Sequence, residues 1–278
     1  MSRHLMPVLV ALIASFGEQT GVLGQQSPGP GAVSVPQEST PAATPDKSGD
    51  DNPSEEESLL TYYYINPQPE KLPEVARWLV KTTGENSGGN GPVFSAFFAR
   101  IMAANPDRID GWLKELGSLP KTHRRSLWRA AVMSGVPAGK DALRARLDGL
   151  DETDRTFVER TLALDPPDLL NLNARSAREL DVLWASFFAS GDVAYIRPII
   201  RALELEDDES IENNLVGSAA SWSLRSNAWQ HSRVLTLCRE ESKTAAQPLA
   251  KKLGEIIKDV EKQLQTEPCP EPKQITPP

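Results

Sequence analysis

Histidine is scarce in this chain, with three residues in 278, and cysteine scarcer still, with two. His4 lies in the leader described below, His123 sits beside Arg124 and Arg125, and His231 stands between Gln230 and Ser232. No Cys-x-x-Cys, His-x-x-x-His or Asp-rich calcium loop occurs, so local spacing assembles no metal centre, and no metal or cofactor is expected. A Gly-x-Ser-x-Gly elbow is also missing. Gly135-Val136-Pro137-Ala138-Gly139-Lys140-Asp141 is one residue short of a phosphate loop and ends in Asp where a magnesium-binding hydroxyl belongs. No nucleotide ligand is expected.

An excess of cations is absent as well. The net charge of -8 argues against nucleic acid, whose binding depends on clustered Lys and Arg. Long apolar runs are absent after the leader. The best candidates, 93–104 and 180–189, are interrupted by Arg100 and Asp181 and have helical periodicity, so no membrane span is expected.

What is present begins with an export signal. Arg3 supplies a basic start, residues 5–16 form an apolar run too short to cross a bilayer, and 22–24 read as a peptidase site. Cleavage after Gly24 is expected, which places the mature chain outside the cytosol, secreted or periplasmic. Residues 25–58 then read as a disordered, acidic, Pro/Ser-rich linker. Its seven acidic residues face Lys47 alone, so the rest of the chain is close to neutral. Residues 267–278, with Pro268, Pro270, Pro272, Pro277 and Pro278, read as a second disordered segment.

Between them, residues 59–266 read as an all-α domain of stacked antiparallel helical hairpins, either an irregular α-solenoid or a multi-helix bundle. Val93, Phe94, Phe97, Phe98, Ile101 and Met102 share one helical stripe, and Leu180, Leu183, Trp184, Phe187 and Phe188 share another. The pattern predicts helices over 70–83, 92–104, 106–116, 121–134, 138–150, 152–164, 177–190, 193–204, 209–226, 228–241 and 244–264. Only 59–65, with three consecutive tyrosines, reads as either a strand or the start of the first helix.

The punctuation agrees with helices. Asn105 is the expected cap ahead of Pro106, Ser176 and Glu179 form a capping-box pattern, and Gly135 and Gly191 are the expected left-handed terminators. Pro198 should kink a helix or mark a start close to itself. Leu127-Trp128 ahead of Ser134-Gly135 is echoed by Leu183-Trp184 ahead of Ser190-Gly191, and Phe-Phe-Ala occurs at both 97 and 187. Residues 81–92 and 165–175 are the long loops.

Three constellations remain. Cys238 and Cys269 are expected to form a disulfide in an oxidising compartment, closing a loop of about thirty residues. Trp229, flanked by Asn227 and Gln230, is the tryptophan expected on a contact surface, whereas Trp78, Trp128 and Trp184 fall on apolar stripes and belong to the core. The carboxylates at 204–209 read as a solvated loop and an acidic helix start.

No catalytic residue is expected. The reading is an exported, non-catalytic interaction or structural module with a protein partner. Two alternatives are a cell-envelope hydrolase whose paired carboxylates converge on folding, and an assembly factor or chaperone with a continuous exposed apolar groove.

Overall fold

A computed structural model describes residues 54–84 and 91–272. The leader, residues 25–53 of the linker, the glycine-rich segment 85–90 and residues 273–278 lie outside the described residues. Among the described residues every regular element is helical and no strand occurs, as the apolar periodicity predicts.

The first helix, α1 (Glu55–Tyr62), starts earlier than the expected boundary at 59. Ser54 Oγ accepts the Glu57 N–H at 3.1 Å, and the Glu57 carboxylate accepts the Ser54 N–H at 3.0 Å. Glu55, Glu56 and Glu57, which compositionally belong to an acidic tether, therefore form the first turn of a capped helix, where the helix dipole favours carboxylates.

Eleven helices follow among the described residues. They are α2 (Leu72–Thr83), α3 (Gly91–Ala104), α4 (Ile109–Glu115), α5 (Lys121–Met133), α6 (Pro137–Arg144) and α7 (Glu152–Leu162), then α8 (Ala177–Ser190), α9 (Arg197–Ala202), α10 (Ile211–Gln230), α11 (Ser232–Thr244) and α12 (Gln247–Thr266). Together they form a packed helical bundle. α3 lies between α5 and α8. It contributes buried Phe97, Phe98, Ile101 and Met102 to the core, and its Phe94 and Phe98 rings stack at 4.3 Å. α8 is enclosed by α1, α3, α9 and α10, so every residue from Leu180 to Ala189 is buried, Asp181 included. α10, α11 and α12 pack on one another as a closing group.

The Ser-Gly echo has a structural counterpart. Gly135 and Gly191 have φ of 75° and 69°, the left-handed conformation that glycine adopts without a Cβ penalty. In both copies the serine hydroxyl accepts the N–H two residues on, from Val136 at 3.4 Å and Asp192 at 3.2 Å. The segments after it differ: α6 follows Gly135, whereas a 3-10 turn, Val193–Ile196, separates Gly191 from α9.

Other local expectations change in detail. Asn105 does not cap. Its amide donates back to Ile101 O at 2.9 Å, and Pro106 opens a 3-10 turn before α4. Ser176 caps α8, but Glu179 bonds the Arg175 N–H at 2.6 Å and not that of Ser176. Pro198 occupies the first turn of α9, so no kink arises. The helix expected over 138–150 ends at Arg144, followed by a 3-10 turn at Leu147–Gly149.

Two glycines make opposite predictions. A Cβ on Gly217 in α10 would collide with the backbone of Leu205 and Glu206, whereas one on Gly254 in α12 meets nothing within 4 Å. Gly217→Ala should destabilise by about 2 kcal/mol or more, because a helix backbone cannot step aside as a side chain can. Gly254→Ala should stabilise by about 0.5–1 kcal/mol by restricting the unfolded chain. Urea midpoints moving in the same direction for both would contradict this account.

Candidate functional site

α10 carries three of the five large apolar side chains exposed among the described residues. Ile211, Leu215 and Trp222 retain 78%, 64% and 50% of their accessible surface. Spacings of four and seven residues place them on one line of the helix, with exposed Ser218 between them. The opposite side of α10 is packed through Val216, Gly217, Ala220 and Leu224. These three side chains therefore form a ridge and not a core stripe. The ridge begins among carboxylates: Glu209 and Glu212 are exposed beside it, and Asp207 binds Lys252 at 2.7 Å.

Trp229, the tryptophan expected on a contact surface, continues the same line and is half-buried. Its indole N–H donates to the Glu267 carbonyl at 3.4 Å, so its contact is with the chain itself. Trp222 escaped the sequence reading, although its register with Ile211 and Leu215 was available. Trp128 and Trp184 are core as expected, whereas Trp78 is only partly buried against it.

The structure does not bring the expected disulfide pair together: Cys238 and Cys269 stand unbonded. Cys238 is fully buried in α11, its thiol pushed up to about 12 by burial and then by the Glu241 charge. Cys269 donates its S–H at 3.5 Å to the carbonyl of Gln230, the last residue of α10, just ahead of the start of α11. Six residues of helical rise, about 9 Å, separate the start of α11 at Ser232 from Cys238, more than a disulfide spans between Cβ atoms.

Residues 267–272, the first part of the segment expected to stay disordered, have specific partners. The Glu271 carboxylate accepts the Tyr64 hydroxyl at 2.8 Å and the Ser232 N–H at 3.2 Å. Beneath it, His231 is wholly buried among Tyr62, Tyr64, Phe187 and Phe188, with ring centroids 5.1–5.8 Å away. Its Nδ1 lies 3.1 Å from the Tyr64 oxygen, and its Nε2 has no hydrogen-bond partner. The single Tyr64 proton goes to the carboxylate, so His231 Nδ1 carries the hydrogen that it donates to Tyr64. Burial lowers the His231 pKa to about 3 and keeps the ring neutral.

A cavity of about 480 Å³ opens near α4, α5 and α6, lined by Leu113, Arg124, Trp128, Arg146, Leu150 and Asp154. Its charges are largely spoken for. Asp154, only 2% exposed, accepts from Arg124 at 2.6 Å and Arg125 at 2.9 Å, with Lys121 at 3.6 Å. Arg146 binds Asp110 at 2.6 Å. Burial alone would raise the Asp154 pKa, but the hydrogen bonds and charges of Arg124 and Arg125 together outweigh it and hold the carboxyl below its usual range. An acid held ionised in this way is a poor proton donor. His123 lies at the start of α5, 3.2 Å from the Thr122 hydroxyl and 3.5 Å from that of Thr83.

Comparison with protein-family models, curated proteins and solved structures found no match.

One further acid is unusual. Asp181 is 5% exposed and makes no hydrogen bond or ion pair among the described residues. Burial, opposed by the Arg178 charge, raises its pKa to about 7. Among the described residues no cluster of three or more His, Cys, Asp and Glu side chains is placed to hold a metal ion. No helix of the described residues is long and apolar enough to cross a membrane.

Proposed function

We propose that this chain is an exported, non-catalytic interaction module that docks a protein partner on the α10 ridge. The observation that carries the reading is the exposure of Ile211, Leu215 and Trp222 in one line on a helix whose other side is packed. Large aromatic and aliphatic side chains raised on a rigid element are the usual anchors of a protein interface. Their combined exposed surface is on the order of a few hundred Å², the size at which an apolar patch on a monomer is often functional.

The chemistry of the surroundings selects the partner. Glu209 and Glu212 stand free beside Ile211, so the complementary surface is an apolar face flanked by basic side chains, such as a cationic amphipathic helix. The envelope-hydrolase reading has less support, since the carboxylate in the cavity is tied to three cations and Asp181 has no second acid as a partner.

The test uses two synthetic amphipathic helices of equal length, one built of Leu and Lys and one of Leu and Glu. The full chain should bind the Lys peptide more tightly, with affinity falling as salt rises. Leu215→Ser combined with Trp222→Ser should weaken that binding by about tenfold or more. Equal binding of both peptides, or binding indifferent to the double substitution, overturns the reading. So does concentration-dependent dimerisation through the ridge, which would make a second copy its occupant.

A further inference from the structure

The strongest unassigned feature lies where the extended segment 267–272 crosses the junction of α10 and α11. Pro268, Pro270 and Pro272 alternate with Glu267, Cys269 and Glu271. The prolines are exposed, whereas Cys269 and Glu271 are half-buried against the body of the protein. The prolines thus make little contact. They fix φ and withhold N–H donors, keeping the segment extended and out of any helix before it binds.

The receiving surface matches this strand residue by residue. The Trp229 indole N–H meets the carbonyl of Glu267 at 3.4 Å, and Gln230 O accepts the Cys269 thiol at 3.5 Å. Tyr64 and the Ser232 N–H grip the Glu271 carboxylate from two directions. Ser232 is the first residue of α11, so its N–H is a donor that no intrahelical acceptor satisfies. Tyr64 is held in place by His231 behind it and by Arg233, whose guanidinium lies 5.1 Å from its ring centre. The body therefore offers an N–H donor for a backbone carbonyl, a small central position and a two-donor carboxylate site, spaced along an extended chain.

We propose that the groove formed by Tyr62, Tyr64, Trp229, Gln230 and Ser232 is a binding site for an extended, proline-alternating acidic peptide, occupied here by residues 267–272 of the same chain and selective for the carboxylate four residues after the bound carbonyl. When its own segment leaves, the groove receives a segment of the same chemistry in trans. It adjoins the Ile211–Leu215–Trp222 ridge through Trp229, but its contacts with the segment are its own, and it stands whether or not that ridge has a partner.

The two thiols provide the readout on the full chain. Cys269 lies in the segment, whereas Cys238 is buried in α11 and reports global unfolding. Glu271→Gln should raise the alkylation rate of Cys269 by about tenfold or more, the loss expected for a charge-assisted hydrogen bond, with Cys238 remaining protected. A fluorescein-labelled peptide with the sequence of residues 266–272, carrying Cys269→Ser, should then bind the Glu271→Gln chain. It should bind the unmodified chain far more weakly, because a tethered competitor acts at about millimolar effective concentration. The same peptide carrying Glu271→Gln should lose about tenfold in affinity. Unchanged Cys269 reactivity, equal binding of the two peptides, or no binding to a chain whose segment has been released overturns the proposal. If Glu271→Gln exposes Cys238 as well, Glu271→Ala takes its place, leaving every groove residue intact, and the same outcomes decide.

Discussion

Asp181→Asn should stabilise the protein by about 2–4 kcal/mol at pH 8 and leave it nearly unchanged at pH 4. Asp181 is buried on α8 without a hydrogen-bond donor, the Arg178 charge offsets its burial only in part, and its pKa is raised to about 7 from an ordinary 3.8. Below pH 3.8 the carboxyl is neutral in both the folded and the unfolded chain and costs nothing through ionisation. Between 3.8 and 7 the unfolded chain ionises and the folded one does not, so stability falls by about 1.4 kcal/mol per pH unit as pH rises.

His231 slopes the other way. Its folded pKa of about 3 lies below the ordinary 6.5, so the unfolded chain takes up a proton first as pH falls, and stability drops with it. The two slopes oppose each other between about pH 4 and 6.5. Asp181→Asn removes one of them. The variant should lose about 1.4 kcal/mol per pH unit on acidification from 6.5 to 4, beyond any loss in the unmodified chain. Urea midpoints across this range measure both effects, and parallel curves for the two chains would refute the pairing.

Asp154→Ala should be among the most damaging single changes, costing about 2–4 kcal/mol at pH 7. The substitution removes the only anion, among the described residues, that pairs with Arg124, Arg125 and Lys121 and leaves the two guanidiniums, each about three-quarters buried, repelling one another where α5 meets α7. Arg124 and Arg125 also stack on Trp128 and Phe157, at 5.3 and 4.7 Å, so they cannot swing into solvent without losing that packing. The Asp154 pKa is depressed, so its stabilisation is complete above the ordinary 3.8 and disappears as pH falls through the folded value. The gap between variant and unmodified chain should accordingly close in strong acid. A loss below about 1 kcal/mol at pH 7 would place this cluster with ordinary surface ion pairs.

These two aspartates also show where sequence reading reaches its limit. The helical fold was legible because apolar spacing, Gly135 and Gly191, and Ser176 each act within one turn of the chain. The break between α10 and α11 was not. No glycine or proline marks His231, and the helix turns there with the ring already buried against Tyr64 and Phe188, partners from far along the chain. Glu55–Glu57 read as tether because a first turn and an acidic linker share a composition, and only the Ser54 cap separates them. The ridge on α10 was half legible. Its heptad register is in the sequence, but which side of a helix is covered depends on Gly217 meeting the 203–207 turn. Nothing local distinguishes Asp181, buried without a hydrogen-bond partner among the described residues, from Asp154, held by three cations.

Gly217 has a consequence for recognition as well as for packing. Because α10 rests there on backbone with no side chain between, the helix is seated close on the 203–207 turn, and Trp222 is carried on a backbone with a tight footing. A partner would meet a backbone already set and would have to immobilise only the outer side chains of that edge. Affinity at such a site is limited by the shape of the visitor and not by ordering of the host.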